Sequence, residues 1–330
     1  MLTLPLRRLL LAPSGPSLDL SLLSATVDSR VTFSRASTAT DLFYTNGNAS
    51  SYNSYSTDVA RVSATNGLLV EEARTNYFLN STAPATQGIS LTAGTYTCWN
   101  AGSSGNVTLI GSVSGLLGTV TFFNPVTFTL SQTETVTCSL TGTIRYVQLE
   151  NGAHPTSFIV TAGASATRAI ETARVSPISW FRPNAPGTLF VEFASLAYPY
   201  VAAQTIIAAI GKGSASGNDA FRLRITGSSN VCTAAALNGG TTVATGSTST
   251  FTVGATNRLA AAYMQSGLVA SLNGQAVVTE STAILGTGQT DLSIGTSDGG
   301  TTTRLNGYVR RVLYWPRALS ASELRGITAP

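Results

Sequence analysis

The stretch "GLLVEEARTNYFLNS", Gly67 to Ser81, sets two adjacent carboxylates, Glu71 and Glu72, just ahead of Arg74. A carboxylate pair is what a glycosidase uses, held about 5–5.5 Å or 6.5–9.5 Å apart across the scissile bond. Neighbours along a strand point to opposite faces, so Glu71 and Glu72 do not converge on one substrate. The expected role is an anchored turn, with one carboxylate meeting Arg74 or Arg35. No catalytic residue is expected, and the chain is not read as an enzyme.

Other reactive groups are few. His154 is the single histidine, which argues against zinc sites and histidine-based triads. It lies in "GAHPT", before a proline, and is expected in a surface loop. Cys98, Cys138 and Cys232 form neither a CxxC motif nor a disulfide framework. Cys98 and Cys138 could face each other within one sandwich; the plainer reading is three reduced, buried thiols. Of the tryptophans, Trp315 is expected in the core and Trp180 between domains, which leaves Trp99 as a candidate sugar-stacking platform. The Gly-rich stretches lack the context of a nucleotide site.

These residues must be held by strands. The 330-residue chain is 43% hydrophobic and only 10% charged, against a usual charged share of roughly 25%. Ser and Thr make up about a quarter of it, so its surface is kept polar by hydroxyls more than by ions. Thr, Val, Tyr and Phe with frequent Gly favour strands over helices. The net charge is +4 and the pI about 9.1. The basic residues are nearly all scattered Arg, with no block that could track phosphates, so no nucleic-acid partner is expected. The apolar run Leu9 to Ala12 is short for a signal peptide, and no segment reaches the roughly 18 apolar residues of a membrane span. Neither export by that route nor membrane insertion is expected.

Four regions follow from the composition. Residues 1–80 hold a short strand, "RVTFSRAS", and a polar loop, Tyr44 to Asp58, with little core of their own; they are expected to lie against something larger. Residues 81–176 alternate with period two between turn signals, as in an antiparallel sandwich. Residues 177–186 fall in the Pro-rich "SPISWFRPNAPG" and read as a linker. Residues 187–330 hold a second set of strands with "NG" at 238–239, 273–274 and 306–307, a tight-turn signal. Ser320 with Glu323 forms a capping box for one short helix.

Three motifs in order carry a resemblance. "VTFSRASTAT" followed by "GLLVEEARTNYFLNS" resembles the opening module of tailed-bacteriophage virion proteins, with "ITFSRAST" and "GLLIEEQRTNLLLNS". "YVQLENGAHPTSFIVTAGASATRA" is similar to the end of a carbohydrate-binding-like sandwich in the same proteins. "LVASLNGQAV" and "LNGYVRRVLYWPRALSASELRGI" resemble a concanavalin A-like (laminin-G-type) jelly roll. Two stretches depart from the pattern: "DVARVSA" replaces a "PRF" segment, and Cys98-Trp99-Asn100 interrupts an alternating strand. The implied fold is all-β: a docking arm, then two antiparallel sandwiches, the second a concanavalin A-like jelly roll.

The resemblance implies a structural virion protein, of tail-fibre, receptor-binding or head-fibre type, that adheres to host-surface polysaccharide. Its expected partners are other phage virion proteins and further copies of itself, a trimer being the commonest state. Its expected location is the particle surface, after assembly in the bacterial cytoplasm. A capsid decoration or tail ornament without glycan binding is the alternative; a depolymerase is disfavoured, because Glu192, Asp219, Glu280, Asp291, Asp298 and Glu323 do not group on one strand. Phe33, Arg35, Glu71 and Arg74 are the candidate virion-docking residues. The loops "SGND" and "GTSDGG" offer Asn218, Asp219 and Asp298, with Trp99, as glycan contacts. Those oxygens make a thin cage for calcium, and no cofactor or metal is expected.

Overall fold

The computed structural model describes residues 15–46, 50–101, 104–182, 185–196, 204–212, 219–227, 230–280, 285–296 and 304–330. The run Leu9 to Ala12, Asn218, Asp298 and Pro183–Asn184 of the linker lie outside these residues. The chain is all-β, in two antiparallel sandwiches, with one short α-helix among the described residues, near the end.

In the smaller sandwich, one sheet runs in the order Gly115–Val120, Asn106–Gly111, Glu134–Thr141, Gln87–Leu91. The other runs Val126–Leu130, Gly94–Ala101, Tyr146–Asn151, Arg74–Asn76, Ala166–Arg168. Period-two alternation sends Val136, Cys138, Leu109, Phe128, Leu130 and Cys98 into a shared core. The outward threonines pair across strands, Thr95 with Thr129 at 3.0 Å and Thr97 with Thr127 at 2.9 Å. Such pairs are the sheet's own unit of stabilisation. All three thiols are free and buried.

The larger sandwich faces two broad sheets. One is ordered Val278–Glu280, Gly267–Leu272, Asn257–Met264, Gly187–Ser195, Gly307–Trp315, Gly67–Val70, Val62–Ser63. The opposing sheet is ordered Val31–Ser34, Thr172–Val175, Asp291–Ile294, Gln204–Gly211, Phe221–Thr226, Val231–Asn238, Thr241–Thr250. Leu189, Val191 and Phe193 point into the core between the sheets, while Phe190 points outward under the C-terminal helix. There Ala260 and Ala262 leave room for Leu324. The helix Ala321–Thr328 begins at Ser320 with the expected capping box.

The first 80 residues do not stand apart as an arm. Leu18–Ser21 and Gly67–Val70 both pair with Gly307–Trp315, with Leu18 opposite Tyr314 and Val70 opposite Gly307. Together they cover the edge of that long strand, which would otherwise offer unpaired N–H and C=O groups. Val31–Ser34 extends the opposing sheet through Thr172–Val175, while Arg74–Asn76 joins the smaller sandwich. The sheets therefore cross the expected boundaries at 80/81 and 176/177. The linker also packs: Ile178 and Phe181 are buried in the larger core, and the Trp180 ring lies 5.1 Å from that of Tyr314.

The turn signals had different outcomes. Asn238 ends its strand opposite Thr241, and Gly239–Gly240, at φ 58° and 82°, close the hairpin between Val231–Asn238 and Thr241–Thr250. Asn273 turns the chain between two paired strands at φ 50°. Asn306 also has positive φ, at 46°, but it precedes Gly307–Trp315 without joining two adjacent strands. No helix among the described residues is long and apolar enough to cross a membrane.

Candidate functional site

Glu71 and Glu72 follow the strand Gly67–Val70 and, as their alternation requires, go to different partners. Glu71 is 1% exposed. Its carboxylate accepts from the Ser157 N–H at 2.9 Å and hydroxyl at 2.5 Å, and meets Arg61 at 2.8 Å and Arg168 at 3.2 Å. Burial alone would push the Glu71 carboxyl up; Arg168, Arg61 and Ser157 outweigh it and hold the group below the usual range. Glu72 pairs with Arg74, one of the two anchors expected, and lies 3.4 Å from His154.

Glu171, between the strands Ala166–Arg168 and Thr172–Val175, is the second hub. One of its oxygens accepts from Arg35 at 2.9 Å and Arg61 at 2.6 Å; the other accepts from the Glu71 N–H at 2.8 Å. Arg35 spends its remaining donors on the carbonyls of Ser37, Tyr55 and Ser56. Arg61 also donates to the Thr40 carbonyl at 2.9 Å. The cluster therefore ties the N-terminal segment to both sandwiches. It is a structural clasp: these carboxylates are enclosed and matched by guanidinium or hydrogen-bond donors.

Several expected site residues lie elsewhere than the sequence suggested. Phe33, Arg35, Glu71 and Arg74 are all buried and offer no docking surface; Arg35 lies over the Phe33 ring, 5.6 Å from its centroid. Trp99 is fully buried, donates to Glu150 at 3.1 Å and packs edge-on to Phe158, so it is no stacking platform. The alternation is broken at Cys98-Trp99-Asn100 because both faces of that strand are covered. His154 is buried beside Arg74 at 3.0 Å and is not a surface loop residue. Asp219 is half-exposed and braces the Asn238–Gly239 hairpin by accepting the Gly239 N–H at 2.8 Å. Among the remaining carboxylates, Glu192 pairs with Arg258 and Glu323 with Arg317, while Asp291 accepts from Thr290. No group of three or more metal-ligating side chains converges among the described residues.

Beside the clasp opens a cavity of about 670 Å³, within the roughly 300–1,000 Å³ range of small-ligand sites. Its lining comes from three parts of the fold. The N-terminal segment gives Asp41, Tyr44, Tyr55, Arg61, Ser63 and Asn66; the smaller sandwich gives Pro155; the larger gives Leu196, Val253 and Tyr308. Asp41 accepts from the Asn53 backbone N–H at 2.8 Å and side-chain amide at 2.6 Å, which fixes it at the end of the short ladder of Ala39–Thr40 with Ser54–Tyr55. Burial and then the neighbouring Asp41 carboxylate push the Tyr55 hydroxyl up. Burial first, with the Glu71 and Asp41 carboxylates adding to it, raises Tyr308 to about 12. Both phenols are thereby held neutral, able to donate. Arg61, 3% exposed, has a buried Nε–H without a hydrogen-bond partner.

No direct signal for this cavity is present in the sequence. Several of its residues lie in the polar tract read only as a loop, in the departing "DVARVSA" segment, and on the last strand, more than 200 positions away. Arg61, from the departing segment, serves both the clasp and the cavity.

Residues 180–325 match the family model described as the concanavalin A-like lectin/glucanases superfamily. No curated protein matches the chain. Among solved structures, the CBM40 of Ruminococcus gnavus IT-sialidase bound to α2,3-sialyllactose is 18% identical at a TM-score of 0.37, over 45% of this chain and 84% of that one. NanB sialidase from Streptococcus pneumoniae, in complex with 2-[(3-chlorobenzyl)ammonio]ethanesulfonate, is 12% identical at 0.38, over 46% of this chain and 26% of that one. The native heptameric SAP-like pentraxin of Limulus polyphemus is 12% identical at 0.31, over 45% and 74%. With its two facing antiparallel sheets and this family match, the larger sandwich is a concanavalin A-like jelly roll.

Proposed function

We propose that this protein is a non-enzymatic glycan-binding protein whose binding site is the cavity at the seam of its two sandwiches. The observation that carries this reading is the lining. Tyr44, Tyr55 and Tyr308 stand with Asp41, Ser63 and Asn66 around a space of sugar-binding size. A sugar ring offers C–H faces to aromatic rings and hydroxyls to carboxylate, amide and hydroxyl groups, and a concave site with a few placed polar groups fixes its orientation. The match of residues 180–325 to a superfamily of lectins and glucanases supports the same reading. So does the clasp, where Glu71, Glu72 and Glu171 are committed to arginines and are not placed to serve as acid and base.

The finer reading rests on the motif resemblance. It is a tailed-phage virion protein, of tail-fibre, receptor-binding or head-fibre type, displayed on the particle as a homo-oligomer, holding host-surface polysaccharide by many weak contacts. Docking to the particle falls to surface residues other than Phe33, Arg35, Glu71 and Arg74. The test is retention of labelled protein on bacterial cells before and after their surface polysaccharide is stripped. Binding that vanishes with the polysaccharide is expected; binding that survives stripping, or none at all, would overturn the reading.

A further inference from the structure

We infer that the seam cavity selects uncharged sugars over sialylated or uronic-acid ones, with Asp41 as the acceptor that sets this preference; this rests on the glycan-binding reading above. Asp41 and Arg61 are the acidic and basic side chains of the lining. Arg61 does not present a free cationic fork: its terminal nitrogens are engaged by Glu71, Glu171, the Thr40 carbonyl and Ser157. Recognition of a sugar carboxylate by arginine calls for two parallel N–H donors. Arg61 has only its buried Nε–H unpartnered, which is too little to pair with a carboxylate.

Around the cavity the guanidiniums of Arg35, Arg61 and Arg168 are set against the carboxylates of Glu71 and Glu171, with Glu150 acting on Arg168. Asp41, by contrast, lines the cavity and makes no ion pair among the described residues. Asp41 takes two N–H groups from Asn53 and a further hydrogen bond from the Tyr55 hydroxyl, and a carboxylate has about four acceptor sites. It therefore keeps capacity for the hydroxyls of a bound sugar. A second carboxylate brought into this space by the ligand would meet a like charge at short range, with no unengaged arginine among the described lining residues to offset it.

The experiment is an array of matched neutral and acidic oligosaccharides, including oligogalactose against oligogalacturonate and lactose-type glycans with and without sialic acid. The intact protein is compared with Asp41→Asn, Tyr308→Phe and Asn66→Trp, each first checked by thermal unfolding. Asn66 is an exposed turn residue at the mouth, so its tryptophan blocks the cavity without disturbing a core. Neutral glycans should bind at least tenfold tighter than their acidic counterparts. Asn66→Trp should abolish binding, and Asp41→Asn should weaken neutral binding while narrowing the neutral-to-acidic ratio, which a merely structural Asp41 would not do. Acidic glycans bound equally well or better, and lost in Asn66→Trp, would overturn the charge inference and leave glycan binding at the cavity standing. Neutral binding unaffected by Asn66→Trp would overturn the site while leaving glycan binding intact. No binding by any member would overturn the function itself.

Discussion

Glu71 sits between Arg61 and Arg168, so replacing its carboxylate with an amide leaves two buried guanidiniums without their shared counter-charge. Breaking a buried pair in this way costs about 3–5 kcal/mol, and Glu71→Gln should show that loss in urea unfolding. Arg311→Ala, which breaks a pair to Asp19 whose partners are nearly half exposed, should cost no more than about 1 kcal/mol. The same group gives the fold a pH dependence. The folded Glu71 is held to about 2, below its ordinary 4.5, so on acidification the unfolded chain takes up the proton first. Its contribution is complete above about pH 4.5 and lost as pH falls towards 2. Unfolding free energies measured across that window should fall steeply in the parent and less steeply in Glu71→Gln. At this scale the Glu72–Arg74 pair was legible, because both residues lie within one short motif. The partnership of Glu71 with Arg168 and that of Glu171 with Arg35 were not. They join positions 97 and 136 residues apart, and no local pattern marks such a pairing.

Among the elements, the strands of the smaller sandwich could be read from their alternation, since one face of each is Val, Leu or Phe and the other Thr or Ser. Strands buried on both faces carry no such signature: Gly187–Ser195 is buried at all but Glu192, its outer Thr188 and Phe190 being covered by Arg317 to Leu319 and by Leu324 of the helix. The capping box was readable and is formed; Ser320→Ala should weaken the protein by about 1 kcal/mol, seen as a lowered melting temperature. The four-residue strand Gly67–Val70 was harder to place, and its pairing depends on one glycine. Gly67 has φ 91°, and a Cβ there would lie 2.4 Å from the Val309 carbonyl oxygen. Gly67→Ala should therefore cost about 1–3 kcal/mol, again by urea unfolding.

Across the whole molecule, the N-terminal segment is part of both sandwiches, which the sequence hid because each contribution is a short strand paired with distant residues. Only the expectation that it leans on something larger was available. Residues 187–330 alone lack Leu18–Ser21, Val31–Ser34, Gly67–Val70 and Thr172–Val175, and so expose strand edges and apolar core. That fragment should bind a hydrophobic dye and elute as aggregate, whereas the full chain should do neither. The seam cavity likewise exists only in the intact protein, since its walls come from three regions. The most direct test of a glycan site there is hydrogen–deuterium exchange with and without purified bacterial surface polysaccharide. Added polysaccharide should slow exchange in residues 41–45 and 61–69 and around Tyr308. Slowing confined to the hairpin braced by Asp219, or no slowing anywhere, would contradict it.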